Sequence, residues 1–240
     1  MQSPKILATV VCYNTAAQTK KALAKFPATR NYDVLIVNDA STDETSKVIK
    51  KYGFKIIEHK RNKGVGGAIK SGLKYALENN YQVVVVLAGN NKDNPQEIPK
   101  LIEPIVRENI DYVQGSRFLR GGRWDNLPLF RWIMVRVHAL LFTLVTGTKC
   151  TDALNGFRAY KLSLFNDSRI DIWQDWLDRY EFETYLHFKV LKYGYRFKEV
   201  PVSKVYPRNK WKVRYSHIRP IIDWWIIMRP LVLLGLGLRH

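Results

Sequence analysis

Three short polar stretches carry the side chains best suited to hold a ligand: Cys12-Tyr13-Asn14, Asn38-Asp39-Ala40-Ser41-Thr42-Asp43 and Ala88-Gly89-Asn90-Asn91-Lys92-Asp93. A fourth, Asn62-Lys63-Gly64-Val65-Gly66-Gly67-Ala68, opens a helical pattern with glycines and a lysine. Glycine lets a backbone approach a ligand closely, and the free amides of a helix N-terminus favour a phosphate. The stretch is neither a Walker loop nor a GxGxxG fingerprint. Asn, Asp, Ser and Gly also make turns and caps, and Ser41 or Thr42 suits the cap of the helix that follows. Three such loops on one edge of one sheet favour a common ligand over three unrelated turns.

The elements around these loops explain why they should share an edge. Short apolar runs alternate with helical patterns: strand 6–13, helix 16–25, strand 33–37, helix 44–51, strand 55–58, helix 66–78, strand 83–87, helix 96–108 and strand 112–115. That alternation predicts βαβ units, an α/β fold with a mostly parallel central sheet flanked by helices. Ligands of such sheets bind beyond the carboxyl ends of the strands, where the polar loops fall.

The chain has 240 residues with 46% apolar side chains, enough for one globular core with an appendage. Its 39 Lys and Arg against 21 Asp and Glu give a formal charge of +18, which attracts phosphorylated small molecules, anionic lipid or nucleic acid. Basic residues are scattered and no nucleic-acid-binding motif is present, so no nucleic acid partner is expected. Cys12 and Cys150 lack CxxC or His-rich surroundings, which predicts neither a zinc site nor a disulfide and fits a cytoplasmic location. No signal peptide is read at the N-terminus, and no uninterrupted apolar run reaches the ~18–20 residues of a spanning helix.

The second half changes character. Leu129–Val145 is apolar but carries Arg131, Arg136 and His138, and Ile218–Leu238 holds Trp224 and Trp225 beside Arg219 and Arg229. Trp and Arg at the margins of apolar helices suit a helix lying in a membrane interface, and the alternative is that both helices cover the sheet. The expected division is residues 1–217 as the nucleotide-binding domain and 218–240 as a C-terminal amphipathic segment.

Together these motifs resemble family 2 glycosyltransferases of the GT-A fold, and within them the dolichyl- or polyprenyl-phosphate sugar synthases. The resemblance is carried by Val10–Asn14, by Asn38–Asp43 against the family's Asp-Asp-Gly-Ser-Thr-Asp, and by Asn62–Ala68, Gly115-Ser116-Arg117, Thr151–Tyr160, Glu181-Phe182-Glu183 and Gly194–Val202. It covers roughly residues 5–217. It implies a donor site of Cys12, Tyr13, Asn14, Asp39, Lys63, Gly64 and Asn90, with Asp39 accepting from the base and Lys63 near the phosphates. It implies that Arg117, Arg158 and Arg208 face the diphosphate and the lipid phosphate, where arginine's planar fork suits phosphate oxygens. Asp152 falls where the family approaches the acceptor. Glu181 and Glu183 read as helix caps or ion-pair partners.

One departure stands out. Where the family places Asp-x-Asp, this chain has Ala88-Gly89-Asn90, with Lys92 close behind. Ala88 has no ligand atom, so the expectation is that Lys92, Arg117 and Arg158 neutralise the leaving diphosphate in place of Mg2+ or Mn2+. A metal recruited through Asn90 or Asp93 by a shifted loop, and loss of activity, stay open. The expected reaction is inverting transfer of a sugar from a nucleoside diphosphate sugar to a polyprenyl phosphate or another membrane-located acceptor. The expected location is the cytoplasmic membrane face, and a homo-oligomer stays open. A nucleotidyltransferase would share the scaffold, but its Gly-rich signature near the first strand is missing.

Overall fold

The computed structural model describes residues 4–207 and 222–239. In chain order the elements are β1 (Ile6–Cys12), α1 (Ala16–Leu23), β2 (Asp33–Asn38), α2 (Thr45–Lys50), β3 (Lys55–Glu58), α3 (Gly64–Glu78), β4 (Val83–Ala88), α4 (Ile98–Arg107) and β5 (Tyr112–Ser116). Then follow β6 (Arg123–Asp125), α5 (Leu129–Thr146), β7 (Arg158–Lys161), α6 (Glu181–Lys192), β8 (Phe197–Pro201), β9 (Ser203–Val205) and α7 (Ile222–Gly235). The sequence placed the first nine of these within a few residues. Residues 96–108 divide into a 3-10 turn at Pro95–Glu97 and then α4, because Asn94 caps the turn and Pro95, lacking an N–H, fits only a first turn.

Seven strands form one sheet in the order β3-β2-β1-β4-β7-β5-β8. Every neighbouring pair is parallel except the two made by β7, which runs antiparallel between β4 and β5. Strands β1, β2 and β4 are near-continuous runs of Val, Ile and Leu because both faces are covered. On one face Leu7, Leu35, Val84 and Val86 pack with α3, α6 and the Leu231 and Leu234 side chains of α7. On the other, Ile6, Ala8, Val10, Ile36 and Val85 pack with α1, α2 and α4. This is the α/β GT-A architecture.

A second, two-stranded sheet pairs β6 with β9 in parallel and lies beyond the carboxyl ends of β4 and β5. Val205 N–H donates to the Lys92 carbonyl at 2.9 Å, and an antiparallel bridge joins Asp93 to Lys204. The loop after β4 is thereby zipped to β9.

Helix α7 packs on α6 and α5: Thr184 Oγ1 donates to the Ile227 carbonyl at 3.3 Å, and Arg229 pairs with the buried Glu181 carboxylate. Trp224, Ile227, Leu231 and Leu234 are buried while Trp225, Val232, Leu236 and Leu238 are exposed. So α7 covers the core with one side, as one of the two expected roles requires, and its other side carries the exposed Trp225 and Val232. Helix α5 buries a single stripe, Val135, His138, Ala139 and Phe142, at the i, i+3, i+4, i+7 spacing. Leu129, Phe130, Ile133, Leu140 and Leu144 point outward. Over its 18 residues α5 has a mean hydropathy of 1.5, long and apolar enough to cross a membrane by length and composition.

Candidate functional site

A cavity of about 620 Å3 opens at the carboxyl ends of β1, β2 and β4 and runs toward α5 and α7. Its strand-end wall holds Tyr13, Asp39, Gly64 and Asn90, its floor Lys92, Asp93, Arg117 and Lys204, and its far wall Arg131, Tyr180, Glu183, Asp223 and Trp224. Of the sequence candidates, Tyr13, Asp39, Gly64, Asn90, Lys92, Asp93 and Arg117 converge on this one space. Arg208 lies outside the described residues.

Each of the three strand-end loops turns on one residue in the left-handed region: Asn14 (φ 47°), Ala40 (φ 58°) and Asn91 (φ 59°). Asn tolerates that conformation, whereas a Cβ on alanine is strained there. The loops then bind one another. Asn14 Oδ1 accepts from Thr42 N–H at 2.8 Å, and Asn14 N–H donates to Ser41 Oγ at 3.0 Å. Asn14 does not line the cavity, and these bonds fix the β1 loop to the β2 loop. Cys12 is likewise buried behind the wall, with Thr19 beside its sulfur, and burial pushes its thiol up to about 12.

Asp39 lines the cavity, yet both its oxygens are engaged. Oδ1 accepts from Lys63 N–H at 2.8 Å and from His59 Nδ1 at 2.7 Å; Oδ2 accepts from Gly64 N–H and Asn62 Nδ2, both at 2.9 Å. His59 Nε2 in turn lies 2.8 Å from Ser71 Oγ on α3. Asp39 therefore uses the first amides of α3, as a carboxylate at a helix N-terminus should. A base N–H would have to displace one of these four bonds. The Lys63 side chain is exposed and does not line the cavity, whereas its neighbours Asn62 and Gly64 do. The glycines of α3 serve packing: a Cβ on Gly66 would collide with the carbonyl oxygens of Leu177 and Arg179, and Gly67 N–H donates to the Asp178 carbonyl at 2.9 Å.

Arg117 is the best-fixed cation of the site. Its Nε and Nη2 donate to the two Asp152 oxygens at 2.7 and 2.6 Å, and Nη1 donates to the Tyr206 hydroxyl at 2.7 Å. Burial alone would lower the guanidinium's pKa, but the Asp152 charge outweighs it and raises it further. Asp152, the expected catalytic carboxylate, is fully buried against Arg117 and does not line the cavity. Glu199 on β8 holds this aspartate's loop, accepting from Asp152 N–H at 3.0 Å and from Thr151 N–H at 2.9 Å. Ser116 and Thr151 hydroxyls meet at 2.6 Å. The Gly-Ser-Arg, Thr-Asp and Glu-Val-Pro segments are thus one hydrogen-bonded unit.

Arg158, which the resemblance places toward the phosphates, does not line the cavity. It is buried, and its donors go to the carbonyls of Asn155 (2.7 Å), Glu183 (2.6 Å) and Ala153 (2.9 Å) and to the Tyr112 hydroxyl (2.8 Å). A guanidinium so satisfied holds the polypeptide and leaves no fork for phosphate.

Sequence reasoning missed Lys204, Tyr206, Arg179 and Asp223, and gave Arg131 only a membrane-margin role. Lys204 Nζ donates to Asp93 Oδ1 at 2.6 Å and to Asn155 Oδ1 at 2.8 Å. The only available signal was its place just after the Glu-Val-Pro-Val segment.

Comparison with known proteins agrees with this architecture. The family described as Glycosyl transferase family 2 matches residues 8–169. Undecaprenyl-phosphate mannosyltransferase of Micrococcus luteus is 27% identical over 207 residues, 84% of each chain. UDP-N-acetylglucosamine–dolichyl-phosphate N-acetylglucosaminyltransferase of Methanococcus voltae is 30% identical over 196 residues, covering 73% of this chain and 76% of that one. Glucosyl-3-phosphoglycerate synthase of Mycobacterium tuberculosis, solved with Mn2+, UDP and phosphoglyceric acid, superposes with a TM-score of 0.70 at 16% identity over 99% of this chain and 80% of that one, a likeness of fold. With the sheet, the strand-end cavity and the matched segment in agreement, this chain belongs to the family 2 glycosyltransferases, close to the polyprenyl-phosphate sugar synthases.

Proposed function

We propose that the protein transfers a sugar from a nucleoside diphosphate sugar to a polyprenyl phosphate at the cytoplasmic face of a membrane, with inversion at the anomeric carbon. The observation that carries this reading is continuity. One cavity runs from the strand-end loops, past Lys92, Arg117 and Lys204, to Arg131 and Trp224 on the helices whose outer faces are apolar. A donor would lie at the strand ends, as ligands of parallel sheets do, and an amphipathic acceptor would enter from the α5 and α7 side.

The chemistry asks little of a base. An acceptor phosphate is already an anion, so one of its oxygens attacks the anomeric carbon as the bond to the diphosphate breaks and the electron pair leaves with the nucleotide. Positioning the two anions and neutralising the leaving group then supply the rate. The fixed geometry of Arg117, held by Asp152 and Tyr206, supports giving it this role. The named relatives' lipid-phosphate acceptors support the choice of acceptor.

Incubation of the purified protein with UDP-, GDP- and CDP-sugars and a polyprenyl phosphate in liposomes tests the reading. It expects one donor to yield an organic-extractable sugar-lipid. Transfer only to a soluble glycan would sink it.

A further inference from the structure

Three cations of the cavity meet at one aromatic ring. Lys92 Nζ sits 5.4 Å and the Arg131 guanidinium 5.9 Å from the centre of the Tyr206 ring, while Arg117 donates to the Tyr206 hydroxyl. Lys204 is brought alongside by the bridge between β9 and the loop after β4. Against these four basic side chains stand Asp93, paired with Lys204, and Asp152, paired with Arg117, while Glu183 and Asp223 share the far wall with Arg131. Burial, with Lys204 and Arg131 nearby, pushes the Lys92 ammonium's pKa well down. The cavity thus gathers four basic side chains, Lys92, Arg117, Arg131 and Lys204, around one tyrosine.

A divalent cation does not fit the same place. Hard cations take about six oxygen ligands, usually with more than one carboxylate. Here Ala88 offers none, and Asn90 Oδ1 accepts from the Lys92 N–H of its own loop at 3.3 Å. Asp93 gives one oxygen to Lys204, and its Oδ2 is a single bare oxygen among cations. Among the described residues no three His, Cys, Asp or Glu side chains come together.

We propose that Lys92 and Lys204, with Arg117 and Arg131, form a metal-free binding site for the diphosphate of the nucleotide, taking the charge and the place of a divalent cation. The diphosphate's identity rests on the transferase reading above, while its capture by four basic side chains does not. Lys204 contributes through the Asp93 and Asn155 contacts that hold its ammonium at the cavity floor, and Lys92 and Arg131 flank the Tyr206 ring.

Inorganic pyrophosphate, titrated calorimetrically in EDTA, probes this site without regard to base or sugar. The expected result is one saturable site, weakened at least tenfold in Lys92→Ala. Lys204→Met bares Asp93 and can fail to fold, so Lys92→Ala, on a half-buried side chain, carries the test with its melting temperature as control. Binding that appears only with Mn2+, or an undiminished Lys92→Ala, overturns the proposal. Sugar-nucleotide turnover strictly dependent on Mn2+ would also overturn it and leave the transferase reading standing. Pyrophosphate binding in EDTA without transfer to any lipid would uphold the site and sink the acceptor assignment.

Discussion

Asp152 takes three hydrogen bonds from Arg117, two from the guanidinium at 2.7 and 2.6 Å and one from the backbone N–H at 3.0 Å, with both side chains almost wholly shielded from water. Removing one partner of such a pair costs far more than the pair contributes, because a buried charge is left uncompensated.

Asp152→Asn is therefore expected to destabilise the fold by about 3–5 kcal/mol in urea unfolding. Donor binding should weaken with it, since Arg117 loses its fixed orientation. Stability equal to wild type would show that Asp152 carries little charge-pairing energy.

Ala40 should respond in the opposite direction. It holds φ at 58°, where an L side chain costs roughly 1 kcal/mol and glycine costs nothing. Ala40→Gly is expected to raise the melting temperature by about 2–4 °C, the shift that ~1 kcal/mol makes in a chain of this size. A lower melting temperature would mean that the added freedom of the unfolded chain outweighs the relieved strain.

Stability should fall with acid through two buried histidines. Among the described residues, neither ring nitrogen of His138 or His187 has a hydrogen-bond partner. Burial, with Arg158 nearby, lowers His138 to about 3 and His187 well below its ordinary value. The unfolded chain protonates both near pH 6.5, the folded one only far below, so stability is full above pH 7 and is lost as pH falls. Between pH 7.5 and 5.5 each histidine is expected to remove about 1.4 kcal/mol in urea unfolding. His138→Phe should halve that slope; an unchanged slope would remove His138 as its cause.

The outer face of α5 offers a cleaner membrane test than deleting the C-terminal segment, because α7 is part of the core. Leu140 and Leu144 are 60% and 69% exposed. Leu140→Glu with Leu144→Glu should leave the melting temperature alone and cut liposome co-sedimentation at least tenfold, given ~1.5–3 kcal/mol for each leucine buried in an apolar phase. Undiminished sedimentation would move the membrane contact elsewhere.

How much of this was legible in the sequence differs by residue. The parallel sheet and the edge bearing the site followed from period and from turn residues after β1, β2 and β4. Roles within the loops did not. Asn14, Asp39 and Arg158 are the residue types that bind nucleotides and phosphates, but they also satisfy stray backbone groups, and only coordinates tell which partner they have. Lys204 was invisible because nothing local marks it; its value comes from β9 lying against a loop 111 residues away.

The position of β7 has a consequence for how the protein is made. β4 and β5 follow one another in the chain yet share no hydrogen bonds; β7, from residues 158–161, is wedged between them. As the polypeptide leaves the ribosome, β1 to β4 can assemble alone, but β5 has no partner until β7 is synthesised, and the floor must wait for Lys204. The strand-end wall of the cavity is thus born well before its Lys204 floor, and a nascent chain cannot close the site early.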